Sequence, residues 1–297
     1  MKNLGNTVGL KRNSTASVLN DLSLLIKFRL TSVVVLSSGI AYLIGAAETF
    51  ELMVFTQLMV GGFLITAASN ILNEVLEKDF DALMKRTANR PVAAGRMSVS
   101  SAVLVAGISA SLGLILLAMI HPLAVLLGSL ALVSYSFIYT PLKRFSLWAV
   151  PVGAIPGAIP VLIGAVVGQG GITMLAIVLF AIQFLWQFPH FWAIAWLGFD
   201  DYKKAGYQFV PEKNGEVDPK IAIHSMVYAL LLVPVVLWPS IEGVNHIATG
   251  LVLALLSVLF AYLGIRLYKG RSRKDALILM FGSLLYLPIV LGLIWLG

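Results

Sequence analysis

The sequence contains no cysteine and has few charged residues. The absence of cysteine excludes disulfide bonds, thiolate metal sites and a cysteine nucleophile. Only 12% of the 297 residues are charged, whereas soluble domains carry about 25%. Hydrophobic residues make up 59% of the chain. This composition predicts a membrane protein, whose length is best counted in helical spans of about 20 residues.

Nine apolar segments are each long enough, or nearly so, to cross the bilayer as a helix. They lie at roughly 30–47, 52–72, 99–119, 122–138, 147–168, 172–192, 221–240, 247–265 and 276–296. The predicted fold is therefore an all-α polytopic membrane protein, a bundle of nine transmembrane helices with a cavity facing the cytoplasm. The polar amino terminus lacks the apolar core of a signal peptide. We predict a disordered cytoplasmic tail over residues 1–23 and a single transmembrane domain over residues 24–297.

The lysine and arginine residues predict the orientation of the bundle. All 21 lie in the amino-terminal tail or in the connections after the second, fourth, sixth and eighth segments. The positive-inside rule places these regions in the cytoplasm and the carboxyl terminus outside. The net charge of +7 therefore reflects orientation in the membrane, and it does not indicate a nucleic-acid partner.

Residues 70–98 form a polar stretch between apolar segments. Asn73, Glu77 and Asp81 recur every four residues, which places them on one narrow face of an α-helix. The opposite side is apolar and holds Leu72, Val75, Leu76 and Leu83. Asp79 falls among these apolar positions if the helix continues, so either the helix ends near it or it pairs with a cation.

The polar face of this stretch predicts a site for a metal and a diphosphate. Carboxylate and amide oxygens suit Mg²⁺, which usually binds through one or two carboxylates and substrate phosphates. The basic residues that follow, Lys85, Arg86 and Arg90, supply charge for an anion, and arginine suits bidentate phosphate contacts. The alternative is a helix end that merely carries solvated charges.

The fifth and sixth segments contain residues that are unusual within a span. Gly153 and Gly157, then Gly164 and Gly168, are four apart, a spacing that favours close helix packing. Gln187 and His190 are polar groups near the inner end of the sixth segment, where such groups usually face a cavity or a partner. His190 is alternatively a satisfied core histidine. We interpret Trp186, Trp192 and Trp196 as interfacial belt residues.

Five stretches together resemble the UbiA superfamily of membrane prenyltransferases, and most closely its protoheme IX farnesyltransferase branch. They are NEVLEKDFDALMKRTANRP at 73–91, YTPLKR at 139–144, GAIPGAIP at 153–160, WQFPHFW at 186–192 and DDYKKAG at 200–206. They occur in the order and spacing of the family, and the resemblance covers the chain from about Leu24. The first stretch is specific for the superfamily, whereas the last two indicate the heme branch.

The resemblance implies a role for individual residues. The implied catalytic residues are Asn73, Glu77, Asp81 and Asp201, and the implied metal ligands are Asn73, Glu77, Asp81, Asp200 and Asp201. The implied diphosphate-binding residues are Lys85, Arg86, Arg90, Lys143 and Arg144. The candidates for contact with a heme substrate are Tyr139, Gln187 and His190. Two positions depart from the family pattern, because Glu77 stands where Asp is usual and the second acidic motif is abbreviated.

The implied reaction is Mg²⁺-assisted transfer of a farnesyl group from farnesyl diphosphate to a vinyl group of heme b, with water completing a hydroxyethylfarnesyl product. The implied partners are these two substrates and the lipid bilayer, together with a heme A synthase or respiratory oxidase assembly factors. Two alternatives remain at this point. One is a prenyltransferase of the same superfamily that acts on an aromatic or quinone precursor, and the other is a polytopic transporter.

Overall fold

The computed structural model describes residues 15–47 and 49–297. Within these ranges, nine helices are long and apolar enough to cross a membrane, which confirms the all-α polytopic prediction. The spans are α2 (Phe28–Gly45), α3 (Leu52–Leu76), α5 (Val99–Ile120), Pro122–Leu142, α8 (Ala149–Gln169), α9 (Met174–Leu197), α11 (Lys220–Ile241), α12 (Ile247–Gly270) and α13 (Arg273–Leu296). The fourth span consists of α6 (Pro122–Val133), a π-helical turn (Ser134–Tyr139) and α7 (Thr140–Leu142). The short helices outside the spans are α1 (Thr15–Leu25), α4 (Lys78–Asp81) and α10 (Phe199–Lys204).

Three spans continue beyond the apolar segments that predict them. Helices α3, α9 and α12 end at Leu76, Leu197 and Gly270, about one turn after the predicted ends of their apolar segments. The helical hydrogen bonds run along the backbone, so they persist where the side chains become polar. In α3 the extra turn holds the polar residues Asn73 and Glu74, whereas in α9 the extra turn, residues 193–197, is apolar.

Helix α8 lies at the centre of the bundle, where it packs against α2, α6 and α9. A Cβ atom at Gly164 would meet the backbone carbonyl of Ser38, and one at Gly168 would lie 2.7 Å from the carbonyl oxygen of Tyr42. Both contacts are with the backbone of α2, which has no room to move aside. The glycine spacing in the fifth segment therefore marks close helix packing, as predicted.

The amino-terminal region is more ordered than the sequence predicts. Residues 1–14 of the predicted tail lie outside the described residues, but residues 15–25 form α1, so the prediction of disorder is wrong for residues 15–23. Leu25 is fully buried, and Asp21 accepts a hydrogen bond from Arg96 at 2.9 Å. The apolar side chains of α1 pack against α3 and the connection after it, which explains why this polar segment folds.

The two long connections after α3 and α9 are folded against each other. The second contains α10 and a small antiparallel hairpin of β1 (Glu212–Lys213) and β2 (Glu216–Val217), in which Glu212 pairs with Val217. Asn214 and Gly215 both have positive φ, as a two-residue hairpin turn requires. Tyr202, Tyr207 and Phe209 pack together beside this hairpin. These side chains bring the second connection over the end of α3.

Candidate active site

The predicted polar face of α3 points into the protein. Asn73, Glu77 and Asp81 are 2%, 3% and 0% exposed. Helix α3 ends at Leu76, and Glu77 adopts φ −101° and ψ 8° before the single turn of α4. This break leaves Asp79 exposed. Of the two explanations for Asp79, the one in which the helix ends near it is therefore correct. The carboxylates therefore face the interior of the protein and the apolar side chains face outward, as expected for a protein in a bilayer.

Glu77 is held by three side chains from different parts of the chain. Its Oε1 accepts hydrogen bonds from Lys143 Nζ at 2.5 Å and from the Tyr207 hydroxyl at 2.7 Å. Its Oε2 accepts one from Asn73 Nδ2 at 2.9 Å. Burial opposes ionisation of Glu77, but the charge of Lys143 and the hydrogen bonds from Lys143 and Tyr207 prevail and lower its pKa. Glu77 is therefore an ionised carboxylate.

Asp81 is a buried carboxylate with one unsatisfied oxygen. Its Oδ2 accepts a hydrogen bond from Arg90 Nη1 at 2.6 Å. Its Oδ1 is buried without a hydrogen-bond partner among the described residues. Burial raises the pKa of Asp81, although Arg90 acts in the opposite direction. A buried oxygen of this kind calls for a ligand, and a carboxylate oxygen is a donor that Mg²⁺ prefers.

Besides Tyr207, two residues that the sequence analysis did not select complete the cluster. Lys27, directly before α2, donates from Nζ to Asn73 Oδ1 at 2.8 Å, and burial together with the charge of Arg90 lowers its pKa to about 7. Glu74 is fully buried, and its Oε1 accepts a hydrogen bond from the backbone N–H of Val92 at 3.3 Å. Lys27 was counted among the residues that set orientation, and Glu74 does not share the four-residue period.

The five predicted diphosphate-binding residues fall into two groups. Arg90 and Lys143 lie in the buried cluster through their bonds to Asp81 and Glu77. The other three, Lys85, Arg86 and Arg144, lie outside it. Arg144 donates to the carbonyl oxygen of Leu76 at 2.5 Å and lies 4.1 Å over the ring of Phe80. It therefore caps the carboxyl end of α3, where a cation is favourable.

Arg86 and Lys85 are near the surface of the same connection. Arg86 Nη2 donates to the hydroxyl of Tyr202 at 2.9 Å, a contact that joins the two long connections. Lys85 is exposed. The structure therefore places Arg86 where it links the connections and leaves Lys85 in solvent.

The second acidic motif lies in α10 and does not form a metal cage with the first among the described residues. Asp200 is exposed and Asp201 half-buried in the first turn of α10. Across residues 15–47 and 49–297, no three acidic, histidine or cysteine side chains come close enough to hold a metal by themselves. This fits Mg²⁺ that is bound by one or two carboxylates and completed by substrate phosphates. The assignment of Asp200 and Asp201 as ligands stays a prediction.

A cavity lies in the bundle, and part of its wall is within one helical turn of the buried cluster. Near the cluster its wall includes Asn70, one turn before Asn73, and Tyr139, one turn before Lys143. Farther along it is lined mainly by apolar residues of α2, α3, α8, α9 and α13. Gly153 leaves room for Tyr139, because a Cβ atom there would lie 2.5 Å from the tyrosine ring.

The sixth segment contributes further polar side chains to the wall of this cavity. Gln187 and His190 both line it, and Gln187 Nε2 donates to the carbonyl oxygen of Ala154 at 2.9 Å. The ring of His190 stacks on that of Trp186, with centroids 4.9 Å apart. Trp186 and Trp192 are 8% and 6% exposed, so their interpretation as interfacial belt residues is wrong. Both indoles pack inside the bundle, where α9 is buried on several sides.

The amino-acid sequence is similar to those of known prenyltransferases. The UbiA prenyltransferase family matches residues 33–285. A protoheme IX farnesyltransferase of Cytophaga hutchinsonii is 44% identical over 267 residues, which cover 90% of this chain and 93% of that protein. A protoheme IX farnesyltransferase of Christiangramia forsetii is 40% identical over 282 residues, which cover 94% of this chain and 93% of that protein.

Solved structures share the fold at low sequence identity. A digeranylgeranylglyceryl phosphate synthase superposes with a TM-score of 0.78 at 20% identity, covering 94% of this chain and 98% of that one. A UbiA homolog from Archaeoglobus fulgidus, bound to DMAPP and Mg²⁺, superposes with a TM-score of 0.67 at 15% identity, covering 92% of this chain and 99% of that one. On the strength of this family match and these relatives, the chain belongs to the UbiA prenyltransferase family.

Proposed function

We propose that this protein transfers the farnesyl group of farnesyl diphosphate to a vinyl group of protoheme IX. The observation that carries the proposal is that a buried cluster of carboxylates and cations lies within one helical turn of the wall of a largely apolar cavity. A prenyl diphosphate has the same two parts, a charged head and an apolar tail. The relatives named protoheme IX farnesyltransferase, at up to 44% identity, support heme as the acceptor.

The charged end of the cavity suits the departure of diphosphate. Breaking an allylic carbon–oxygen bond leaves negative charge on the leaving oxygen, and preorganised cations stabilise that charge. Arg90, Lys143 and Lys27 are the cations of the cluster. Each is already held in place by Asp81, Glu77 or Asn73, so little reorganisation is needed when the substrate binds.

We assign a Mg²⁺ site to Asp81, Glu77 and Asn73, with Asp200 and Asp201 as further candidates. Asp81 Oδ1 is the strongest support, because it is buried and unpartnered within the described part of the chain. A bound Mg²⁺ neutralises charge on the phosphate oxygens. A solved protein of the same fold holds DMAPP together with Mg²⁺. Removal of divalent cations with a chelator should abolish transfer, and added Mg²⁺ should restore it.

The apolar walls suit the remainder of the reaction. They accommodate an isoprenoid chain and keep bulk water away from the allylic cation. Tyr139, Gln187 and His190 are the polar side chains that we assign to the acceptor side of the cavity. The chemistry requires no protein nucleophile, in agreement with the absence of cysteine.

We place the protein in a bacterial inner membrane, with residues 24–297 as one catalytic domain. An odd number of spans puts the two ends of the bundle's chain on opposite sides, and the basic residues favour a cytoplasmic amino terminus. The cluster then faces the cytoplasm, where a water-soluble diphosphate has access. The product would pass to an enzyme that oxidises it further, such as a heme A synthase, or to an oxidase under assembly.

The decisive experiment is an assay of the acceptor. Membranes that contain the protein are incubated with heme b, farnesyl diphosphate and Mg²⁺, and the heme products are separated and weighed by mass spectrometry. We expect a heme that is heavier by one farnesyl group and one hydroxyl group, since the second hydrogen of the added water leaves as a proton. Unchanged heme, with prenylation of an aromatic acid supplied in parallel, would refute the heme acceptor.

A further inference from the structure

Helix α9 presents a polar face to the cavity in the interior of the bundle. Gln183, Gln187 and His190 are spaced by four and three residues, so they share one face of the helix, and all three line the cavity. Gln183 is 7% exposed, and its Oε1 is buried with no hydrogen-bond partner in the described structure. Polar groups at this depth are costly. In a cavity whose walls are mainly apolar, this face indicates a site for a polar molecule.

The hydrogen bonds around His190 define which ring nitrogen carries the proton. Ser283 donates its single hydroxyl hydrogen to the carbonyl oxygen of Met280 at 2.6 Å. At its 2.8 Å contact with His190 Nδ1, the serine oxygen is therefore the acceptor. Nδ1 carries the hydrogen, so Nε2 of the neutral ring is a free acceptor. No hydrogen bond to Nε2 occurs in residues 15–47 and 49–297.

We propose that His190 binds and deprotonates the water molecule that completes the product, and that Gln183 and Gln187 help to hold this water. The inference rests on the proposed farnesyl transfer. A water molecule in a protein interior needs two to four polar partners, which this face of α9 provides. A fixed ring with a basic nitrogen is the group that general base catalysis requires. The stack on Trp186 fixes the plane of that ring.

Formation of a carbon–carbon bond precedes the addition of water. The carbon–oxygen bond of farnesyl diphosphate breaks, and diphosphate leaves with the electron pair. The π electrons of the vinyl group bond its terminal carbon to C1 of the farnesyl group, so the inner vinyl carbon becomes positive. A lone pair of the water oxygen bonds to this carbon while one proton moves to His190 Nε2. The proton later passes to bulk water, and a hydroxyethylfarnesyl group remains.

The same cation can lose a proton instead of adding water. If it loses a proton from the newly formed CH₂ group, the product is an alkene that is lighter by one water molecule. An apolar cavity favours this elimination unless water is held beside the cation. The ratio of hydrated to dehydrated product therefore measures whether the water site is intact, independently of the overall rate.

The test compares the products of wild-type protein, His190→Ala and His190→Gln by mass spectrometry. His224→Ala is the matched control, because His224 is exposed and is not part of the cavity wall. General base groups contribute about 10²-fold or more, so the dehydrated heme should become the main product in both His190 variants. The control should give the hydrated product alone. Gln183→Leu should raise the dehydrated share to an intermediate level.

Three outcomes would overturn the inference while the farnesyl transfer itself stands. The first is a hydrated product alone from the His190 variants, at whatever rate. The second is an unchanged product ratio with an altered absorption spectrum of bound heme, which would assign His190 to the heme iron. The third is a variant that binds both substrates and forms neither product, because the water step follows carbon–carbon bond formation. If wild-type protein forms no farnesylated heme, the proposed function itself fails.

Discussion

Two aspartates only two positions apart have opposite environments. Asp81 is fully buried and bonded to Arg90, whereas Asp79 is exposed on the outer side of α4. We expect Asp81→Ala to reduce farnesyl transfer by about 10²-fold or more, the scale on which loss of one charge-stabilising group acts. Asp79→Ala should leave the rate close to that of wild type. Initial rates of product formation, at equal amounts of folded protein, provide the measurement.

Equal activity of the Asp81 and Asp79 variants would contradict the metal assignment. Folding is checked separately, because removal of a buried carboxylate leaves Arg90 without its partner. Asp81→Asn keeps the shape and a hydrogen-bond acceptor for Arg90 but loses the charge. Its transfer rate should be as low as that of Asp81→Ala, with a melting temperature nearer to that of wild type.

The basic residues after α4 also separate by burial. Arg90 has a side chain 20% exposed and pairs with Asp81, whereas Lys85 lies in solvent. Arg90→Ala should lower kcat/KM for farnesyl diphosphate strongly, because it removes a cation from the head-group site and leaves a buried carboxylate unpaired. Lys85→Ala should change kcat/KM little. Steady-state kinetics with varied farnesyl diphosphate distinguish the two, and a larger loss for Lys85→Ala would contradict the structure.

At the scale of elements, the contact between α2 and α8 depends on glycine. A Cβ atom at Gly164 would collide with the backbone of α2, whereas one at Gly107 in α5 would meet nothing within 4 Å. Gly164→Ala should therefore destabilise the bundle by about 1–3 kcal/mol, the cost of overpacking. Gly107→Ala should be neutral or slightly stabilising, since alanine favours a helix. Thermal unfolding in detergent compares the variants, and equal melting temperatures would count against this packing.

The connections after α3 and α9 contact each other and form one folded unit beside the end of α3. Tyr207 reaches Glu77, and Arg86 reaches Tyr202, so the second connection closes over the first. The hydroxyl of Tyr207 is one of the donors that keep Glu77 ionised. This contact brings the connection that carries the abbreviated second motif to the end of α3, although Asp200 is exposed and Asp201 half-buried.

At the scale of the whole molecule, the orientation is open to a direct test. The chain has no cysteine, so a single introduced cysteine reports on one position without any background. Lys204→Cys should react with a membrane-impermeant maleimide in inside-out vesicles, and Glu242→Cys should react in intact cells. Both positions are exposed. The reverse pattern would place the cluster on the outer side and refute the orientation predicted from the basic residues.

Much of the architecture could be predicted from the sequence because the bilayer imposes a simple rule. A helix must present about 20 apolar residues to cross it, so the spans are visible in composition alone. The four-residue period of Asn73, Glu77 and Asp81 is likewise a local property of one helix. Where local rules end, the predictions were incomplete: α3 stops at Leu76, and α1 folds because it packs against its neighbours.

The sequence by itself determined the nine spans, the polar stretch after α3 and, through its resemblance to relatives, the class of reaction. Only the tertiary structure decided which charges meet. Lys27, Lys143 and Tyr207 are distant from Glu77 and Asn73 along the chain, yet all of them converge on the end of α3. The physical reason is that a bond between distant side chains depends on how helices pack. That packing is a property of the whole bundle and leaves no periodic signal in any one segment.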